Sequence, residues 1–568
     1  MDAAVALAPS LPSAPVGAPA APSFNREVAP ILFRHCAPCH HAGGIGPFSL
    51  LSFSETRKHA RQIVEVTQGG QMPPWLPDTG VNDFEQSRYL SSEELTVLDR
   101  WVAQGAPEGE ARDLPAVPVF PEGWQLGSPD LVVEMKEPYV LRADGPDVYR
   151  AFVIPMPSPA LRHVSAVEFD PGNRRAVHHA FIRFDRTTES RRADEEDPEM
   201  GFQGLHTPAG AQAPEGHFLS WQPGRIPTRV PAGMAWPLYP RSDLVLQLHL
   251  QPSGKPEKVR CRVGFFFTDQ PPTNTPVKLV ISSFKIDIPA GETNHLELEE
   301  WTLPADVDLL AVLPHAHFLG RELKAFATFP DGVQHPLLSI SHWDFNWQGE
   351  FRYRTPLFLP KGTKLVLRCI FDNSTNNPRN PNNPPVRVKY GLRSVDEMAE
   401  FWLQVLPRRQ ADRQDLARGY QARAVQEILA YQEFLLNQNT NDYKAMLEAG
   451  RANLMLNRDA VAERHLRQLV RLQPGSAEAR YYLGLAFRAQ NKLPEARQEL
   501  LQALALKPND SKNHGTLGLI LVQQGDPVEA ERHFREALRI DPADAIAQRM
   551  LRLLKEGPSK LETPPARP

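Results

Sequence analysis

Over its last third the chain repeats itself at a fixed interval. Gly450, Gly484 and Gly518 stand 34 residues apart, as do Ala462, Ala496 and Ala530, and Pro474, Pro508 and Pro542. An interval of that length allots one supersecondary unit to each repeat, with small residues where two helices cross and proline after the second helix. No such unit buries its apolar face alone, so the repeats must stack into a helical array. Upstream of about residue 409 the interval is absent, and 568 residues at roughly 150 per domain give about four parts. Proline, at 56 residues, is about double its usual ~5%, which excludes helical repeats along the whole length. The expected fold class is multidomain.

The three repeats, over 441–557, resemble tetratricopeptide repeats. That resemblance implies a C-terminal α-helical solenoid whose concave surface takes a protein or peptide partner. A linker helix over 409–440 is expected to lead into it, with Arg408, Arg409, Arg413, Arg418 and Arg423 on one exposed face, and 558–568 to form a tail. Lys+Arg 63 against Asp+Glu 67 leaves a net charge of −4, without the basic excess that grips nucleic acid. No apolar run reaches the ~18 residues of a membrane span. The first 23 residues are rich in Ala and Pro and carry no Lys or Arg, so they lack the charged start of a secretory signal. They are expected to be a disordered leader, the remnant of an export signal.

Residues 24–118 read as a small all-α unit. Ser52-x-x-Glu55 and Ser91-x-x-Glu94 are capping boxes, and Leu95, Leu98, Trp101 and Val102 follow at helical spacing,. Within this unit Cys36-Ala37-Pro38-Cys39-His40 is C-x-x-C-H, in which two thiols can attach haem vinyl groups while the next imidazole reaches the iron,. Met72, in Gly70-Gln71-Met72-Pro73-Pro74-Trp75, is the natural sixth ligand, because a thioether raises the haem potential. His35 and His41 flank the motif as rival ligands. A zinc or redox pair is the other use of C-x-x-C, but partner ligands for it are missing here. The segment is similar to small c-type cytochrome domains with C-x-x-C-H followed by M-P-P-W. The likeness implies covalently bound haem c, with Cys36 and Cys39 as attachment points, His40 proximal and Met72 distal. Haem is attached in this way on the export side of the membrane, so the expected location is periplasmic or otherwise extracytoplasmic.

After a Pro-rich connection at 114–121, short alternating runs at 148–155, 244–251, 260–268 and 364–371 are broken by Pro, Gly and Asn. Such patterning reads as all-β to about 408. Histidines punctuate it. His178 and His179 are adjacent at the edge of an apolar run, and surface histidines of this kind are commoner than ligands. His249 shares a strand face with Gln247 and Gln251, opposite a row of leucines,. His315-Ala316-His317 puts two imidazoles on one strand face, close enough to chelate one ion,. Met398 stands in a polar context, Asp396-Glu397-Met398-Ala399-Glu400, although packing under Phe401 and Trp402 would also explain it,. Imidazole with thioether is a ligand set that suits copper better than zinc, magnesium or calcium.

The H-H pair, the L-Q-x-H strand, the H-x-H-x-x-G element from His315 to Gly320 and the D-E-M element occur in the order seen in type 2 copper, ascorbate-dependent monooxygenases. The chain resembles that family, which includes peptidylglycine α-hydroxylating monooxygenase and dopamine β-monooxygenase, over roughly 120–408. The resemblance implies two all-β jelly-roll-type sandwich domains, 119–275 and 276–408, facing each other across a solvent-filled cleft. His178, His179 and His249 would hold the electron-storing copper. His315, His317 and Met398 would hold the copper that meets dioxygen and a small-molecule substrate, and these three carry the catalytic role. The implied activity is that of an oxidoreductase, a copper-dependent monooxygenase hydroxylating a C–H bond. Its electrons would come through the fused haem from a donor protein or an ascorbate-like reductant.

Peptide-amidating members have an Arg where this chain has Leu313, and an Asn and a Tyr where it has Glu400 and Trp402. A peptide ending in glycine is therefore not the expected substrate. Cys261 and Cys369 either pair or remain buried thiols,. Two alternatives stand beside this reading. One is a non-catalytic extracytoplasmic electron-transfer or scaffold protein that binds haem and copper and docks partners. The other is a zinc hydrolase, against which the methionine and the lack of a Glu base beside H-x-H both speak.

Overall fold

The computed structural model describes residues 21–121, 123–205, 207–542 and 544–556. Most of the expected leader and all of the expected tail lie outside the described residues. Helices Ala29–His35, Phe53–Lys58, Ala60–Gln68 and Ser92–Ala103 make an N-terminal helical unit. They pack around Phe24, Leu32, Leu98 and the fully buried Trp101. The last of them starts on a complete capping box: the Ser91 hydroxyl accepts from the Glu94 N–H at 3.1 Å, and the Glu94 carboxylate accepts from the Ser91 N–H at 2.9 Å. Such a box satisfies two otherwise orphaned donors of the first turn.

Two β regions follow, each built from a pair of antiparallel sheets about its own core. In the first, one sheet orders Leu131–Glu134, Arg262–Thr268, Arg162–Asp170 and Trp236–Leu238. The other has Val148–Pro155, Asp243–Leu250 and Val177–Asp185 side by side at its centre. Val164, Phe265, Leu246 and Ile182 fill the space between. In the second region, Val277–Ser282, Ala399–Pro407, Val307–Ala316 and Phe351–Leu359 face His295–Thr302, Lys364–Phe371, Gly320–Thr328 and Gln334–Ile340. Leu279, Val312, Phe401, Leu323 and Leu365 form that core. Alternation of apolar and polar residues sends one side chain in two inward, which suits sheets with one wet face. Cys261 and Cys369 are buried free thiols in these two separate cores, so they do not pair.

An arm departs from the expected all-α unit. Residues 75–88 leave the helices and dock on the second β region. Phe84 bridges Tyr353, and the Asp78 carboxylate accepts from the Ser339 hydroxyl at 2.6 Å and from the Ser341 N–H and hydroxyl at 3.1 and 2.8 Å. Trp75 meets Phe351 edge-on at 5.3 Å.

The helix Arg413–Gln438 is likewise more than a linker. Leu416 is buried in the second β core and Tyr420 lies against Trp301. The five arginines do not share one exposed face. Arg423 is buried, donates to the Val280 carbonyl at 3.3 Å and pairs with Glu427, because a buried guanidinium must find acceptors,.

Beyond it run helices Tyr443–Met455, Asp459–Leu472, Ala477–Ala489, Leu493–Leu506, Ser511–Gln523, Pro527–Ile540 and Ala545–Glu556. The periodic glycines have a steric cause. A Cβ at Gly450, Gly484 or Gly518 would fall 2.6, 2.9 or 2.6 Å from Leu466, Leu500 or Phe534, each in the paired helix. Asn457, Asn491 and Gly525, again 34 apart, take the left-handed turn between the two helices of each repeat,. Among the described residues no helix is long and apolar enough to cross a membrane.

Candidate metal centres

His178 and His179 lie on the strand Val177–Asp185, and His249 on its neighbour Asp243–Leu250. Successive strand residues point to opposite faces, so two adjacent histidines should not share a site. A bulge removes the difficulty. His249 pairs with His179 and Leu250 with Val177, leaving His178 as the extra residue, turned to the same side,. The three Nδ1 atoms then converge: His178 to His179 and His178 to His249 are each 3.2 Å, and His249 to His179 is 3.3 Å. The centre of such a triangle is ~1.9 Å from each nitrogen, so an ion slightly out of plane meets the ordinary ~2.0–2.1 Å metal–imidazole bond length.

Protonation states fit the same arrangement. His249 donates its Nε2–H to the Asp147 carboxylate at 2.7 Å, which leaves a lone pair on its Nδ1,. Burial, and then the neighbouring His249, push His178 down to about 4 and His179 well below the usual imidazole range. With the three Nδ1 atoms turned toward one point, that point suits a cation that accepts nitrogen lone pairs,. These three are also the described residues whose ligand atoms cluster closely enough to hold an ion together.

The second set is built differently. His315 is the last residue but one of the strand Val307–Ala316, and its ring centroid is 5.0 Å from that of His317. His315 Nδ1 is hydrogen-bonded to the Gln348 side-chain oxygen, and His317 Nδ1 to the Asp396 carbonyl at 3.0 Å. Both acceptors are carbonyl oxygens, so both Nδ1 atoms carry the proton and both Nε2 atoms are left to bind. Burial, then His315, push His317 down to about 3. The pairing His315 with Glu400 and Ala316 with Ala399, carried one step further, sets Met398 opposite His317. Met398 is 7% exposed.

Several residues of these centres carry no sequence signal of their own. Glu397 is fully buried, and its carboxylate accepts from the backbone N–H groups of His317, Leu319 and Met398 at 2.8, 2.7 and 2.8 Å. Burial nonetheless pushes its pKa up to about 8. It ties the H-x-H element to the D-E-M element, and only its place in the quoted motif hinted at it. Trp343 donates its indole N–H to the His317 carbonyl at 3.1 Å, and Gly320 is required beneath it, since a Cβ there would lie 2.6 Å from the indole. Phe345 lies between the two histidine sets. Its ring is 5.1 Å from His178 and 5.6 Å from His317. The solvent-filled cleft expected between the two sites is at this point occupied by that ring.

In the helical unit, the N–H groups of Cys39 and His40 donate to the Cys36 carbonyl at 3.1 and 2.9 Å, curling the motif into a turn after Ala29–His35. His40 Nδ1 donates to the Phe48 carbonyl at 3.1 Å, leaving Nε2 for a metal,. Gly46 lets the chain wrap over that ring, since a Cβ would approach it to 2.7 Å. Burial raises both thiols, Cys36 to about 12. The rivals are engaged elsewhere: His35 Nε2 contacts Glu94 at 3.1 Å, and His41 bonds the Ala37 carbonyl at 2.8 Å and stacks on Phe120. Met72 comes from a separate segment, half-buried, with its N–H on the Val66 carbonyl at 3.0 Å. A cavity of about 490 Å³ opens between the motif and both β regions, with Cys39, His41, Trp221, Arg225 and Glu350 on its walls.

Family models describing the tetratricopeptide repeat match residues 447–511 and 511–544. The C-terminal array is made of tetratricopeptide repeats. No curated protein matches the chain. Among solved structures, MamA is 23% identical over 24% of this chain and 81% of its own, with a TM-score of 0.23. YrrB, a TPR protein with an unusual peptide-binding site, is 18% identical over 23% of this chain and 68% of its own, at 0.22. The TPR domain of Arabidopsis OM64 is 20% identical over 20% of this chain and 94% of its own, at 0.20.

Proposed function

We propose that the two β regions form a copper-dependent monooxygenase that hydroxylates a C–H bond of a small molecule with dioxygen. In this reading they are the jelly-roll-type sandwiches of the copper monooxygenases, and the helical unit is a c-type cytochrome domain that supplies the electrons. One observation carries it: three imidazoles turn Nδ1 atoms 3.2–3.3 Å apart toward one point, beside a second imidazole pair whose Nδ1 atoms are both held by carbonyl oxygens. His178, His179 and His249 would hold one copper, and His315, His317 and Met398 the other. Copper, when bound, supplies the one-electron chemistry that activates dioxygen.

The chain's own groups prepare the site. Asp147 holds the proton on Nε2 of His249, while Gln348 and Asp396 hold protons on Nδ1 of His315 and His317. Burial of His249 and His317 keeps water from competing for their lone pairs,. The Met398 thioether favours the reduced ion. Leu313 and Trp402 face each other across the sheet, so the site lacks the cation that would fix a substrate carboxylate there. Haem c would be attached at Cys36 and Cys39 and held by His40 and Met72, and attachment of that kind would put the mature protein outside the cytoplasm. The tetratricopeptide repeats would dock a protein or peptide partner.

Metal analysis and oxygen uptake test the reading together. Protein matured with copper and haem should carry two coppers and one haem per chain, and His249→Ala should lose one copper. Oxygen uptake in step with product should vanish in His315→Ala. Protein that takes up no copper overturns the copper centres. Two bound coppers with no substrate-dependent uptake would favour the non-catalytic electron-transfer or scaffold reading, which the repeats support.

A further inference from the structure

We propose that Arg183 of the first β region and Lys278 of the second form a binding site for the carboxylate of a small organic molecule. The inference uses residues outside both histidine centres and does not rest on the copper reading.

Arg183 lies on the strand Val177–Asp185, on the face that carries His179, and its Nε donates to the Gln247 side-chain oxygen at 3.3 Å,. Lys278 lies on Val277–Ser282 opposite Gln404, with its Nζ 5.1 Å from the centre of the Trp402 ring. Both are partly buried, and among the described residues neither has an ion pair. Burial lowers Arg183, and burial followed by the charge of Arg183 pushes Lys278 down to about 8, so the two cations feel each other. Other guanidiniums of the β regions with little exposure are neutralised. Arg150 pairs with Asp197, and Arg225 and Arg352 share Glu350. A buried charge without a counterion is costly, and two like charges side by side add repulsion, so an anion held between them is stabilised from both sides.

The cavity of about 490 Å³ reaches this corner. Its walls include Ile182, next in the chain to Arg183, and Gln404, which pairs with Lys278. His217 on the same wall is pushed down to about 4 by burial and then by Arg352, and is therefore neutral near pH 7. Glu350 also lines the cavity, but two guanidiniums already bond it, so its carboxylate leaves the local charge positive. A guanidinium fork beside an ammonium matches a carboxylate. Phe169 and Trp221, on the cavity wall, and Trp402, under Lys278, suit a ligand whose body is flat and apolar,.

Isothermal titration of the full chain with benzoate tests the site, against benzamide, which has nearly the same shape and no charge. Benzoate should bind and benzamide should not. Arg183→Met and Lys278→Met should each weaken benzoate by about 10–100-fold. Each variant should unfold at the parent's temperature or above it, because a buried like charge has gone. No benzoate binding, binding no tighter than that of benzamide, or binding unchanged in both variants would overturn the site. Inorganic phosphate bound in place of benzoate would overturn the carboxylate assignment. Loss of binding together with earlier unfolding in both variants would assign the two cations to the fold and overturn the proposal.

Discussion

The tetratricopeptide array is assembled from contacts one helix apart, whereas the histidine centres are assembled from residues far apart in the chain. Gly450 meets Leu466, Gly484 meets Leu500, and Gly518 meets Phe534, the same contact three times. His178 meets His249 across 71 positions, His317 meets Glu397 across 80, and Asp147 meets Ser394 across 247. A repeated local contact makes stability nearly a sum of neighbouring terms. A site gathered from distant strands depends on all of them at once, so damage to one element spreads to the others.

Glu397→Ala should break that contrast most severely. It strands three backbone N–H groups in the second β core. At about 1–3 kcal/mol for each unsatisfied donor the cost exceeds about 3 kcal/mol. Thermal unfolding followed by far-UV circular dichroism should show the β transition moving down while the helical one stays in place. A common shift of both would mean that the array is not independent. Asp147→Asn acts next. It removes the charged acceptor behind His249 and should weaken copper at the three-histidine centre by about 10–100-fold, with the other centre spared,. Competitive chelator titration separates the two, and equal losses at both would deny that the centres are built separately. Gly518→Ala is milder. Overpacking against Phe534 costs about 1–3 kcal/mol, offset by about 1 kcal/mol of helix propensity,. The helical transition alone should fall, with copper content unchanged.

Much of the fold was legible because periodicity is a local property. The interval of glycines, alanines and prolines foretold the array, and the apolar runs at 148–155 and 364–371 coincide with the strands Val148–Pro155 and Lys364–Phe371. The side chains that stood out as ligands were legible by type and order, but their surroundings were not. The bulge at His178 depends on how Asp243–Leu250 pairs with its neighbour, which no single run encodes. Phe345 and Gln348 sit in a loop whose sequence carries no period, and their roles appear only when that loop folds over His315 and His317. The arm at 75–88 was absorbed into the helical unit because a Pro-rich stretch reads as a connection, although Asp78 bonds Ser341 across 263 positions. Arg423 was placed on a solvated face because its acceptors, Val280 and Glu299, lie in another region.

Acid gives the smallest and most selective test of the two regions. In the array, burial raises Glu463, but hydrogen bonds from Lys492, Arg467 and Gln490 outweigh it and hold the carboxyl at about 2. The unfolded chain takes up this proton near pH 4.5, so the stabilisation is present above that pH and is lost as pH falls toward 2. For a partly solvated network it amounts to about 1 kcal/mol. In the β regions the sign of the shift is the same but the window is higher. His217, buried away from both centres, is pushed down to about 4 by burial and then by Arg352. The unfolded state binds that proton first, so stability drains as pH falls from about 6.5 to about 4. The array holds a group with the same window, His533, pushed down to about 4 by burial and then by His514, so acid weakens both regions as pH falls from about 6.5 to about 4, and the limb below that belongs to Glu463. Glu463→Gln should flatten only the lower, helical limb, and a single transition insensitive to that change would show that the two regions unfold as one.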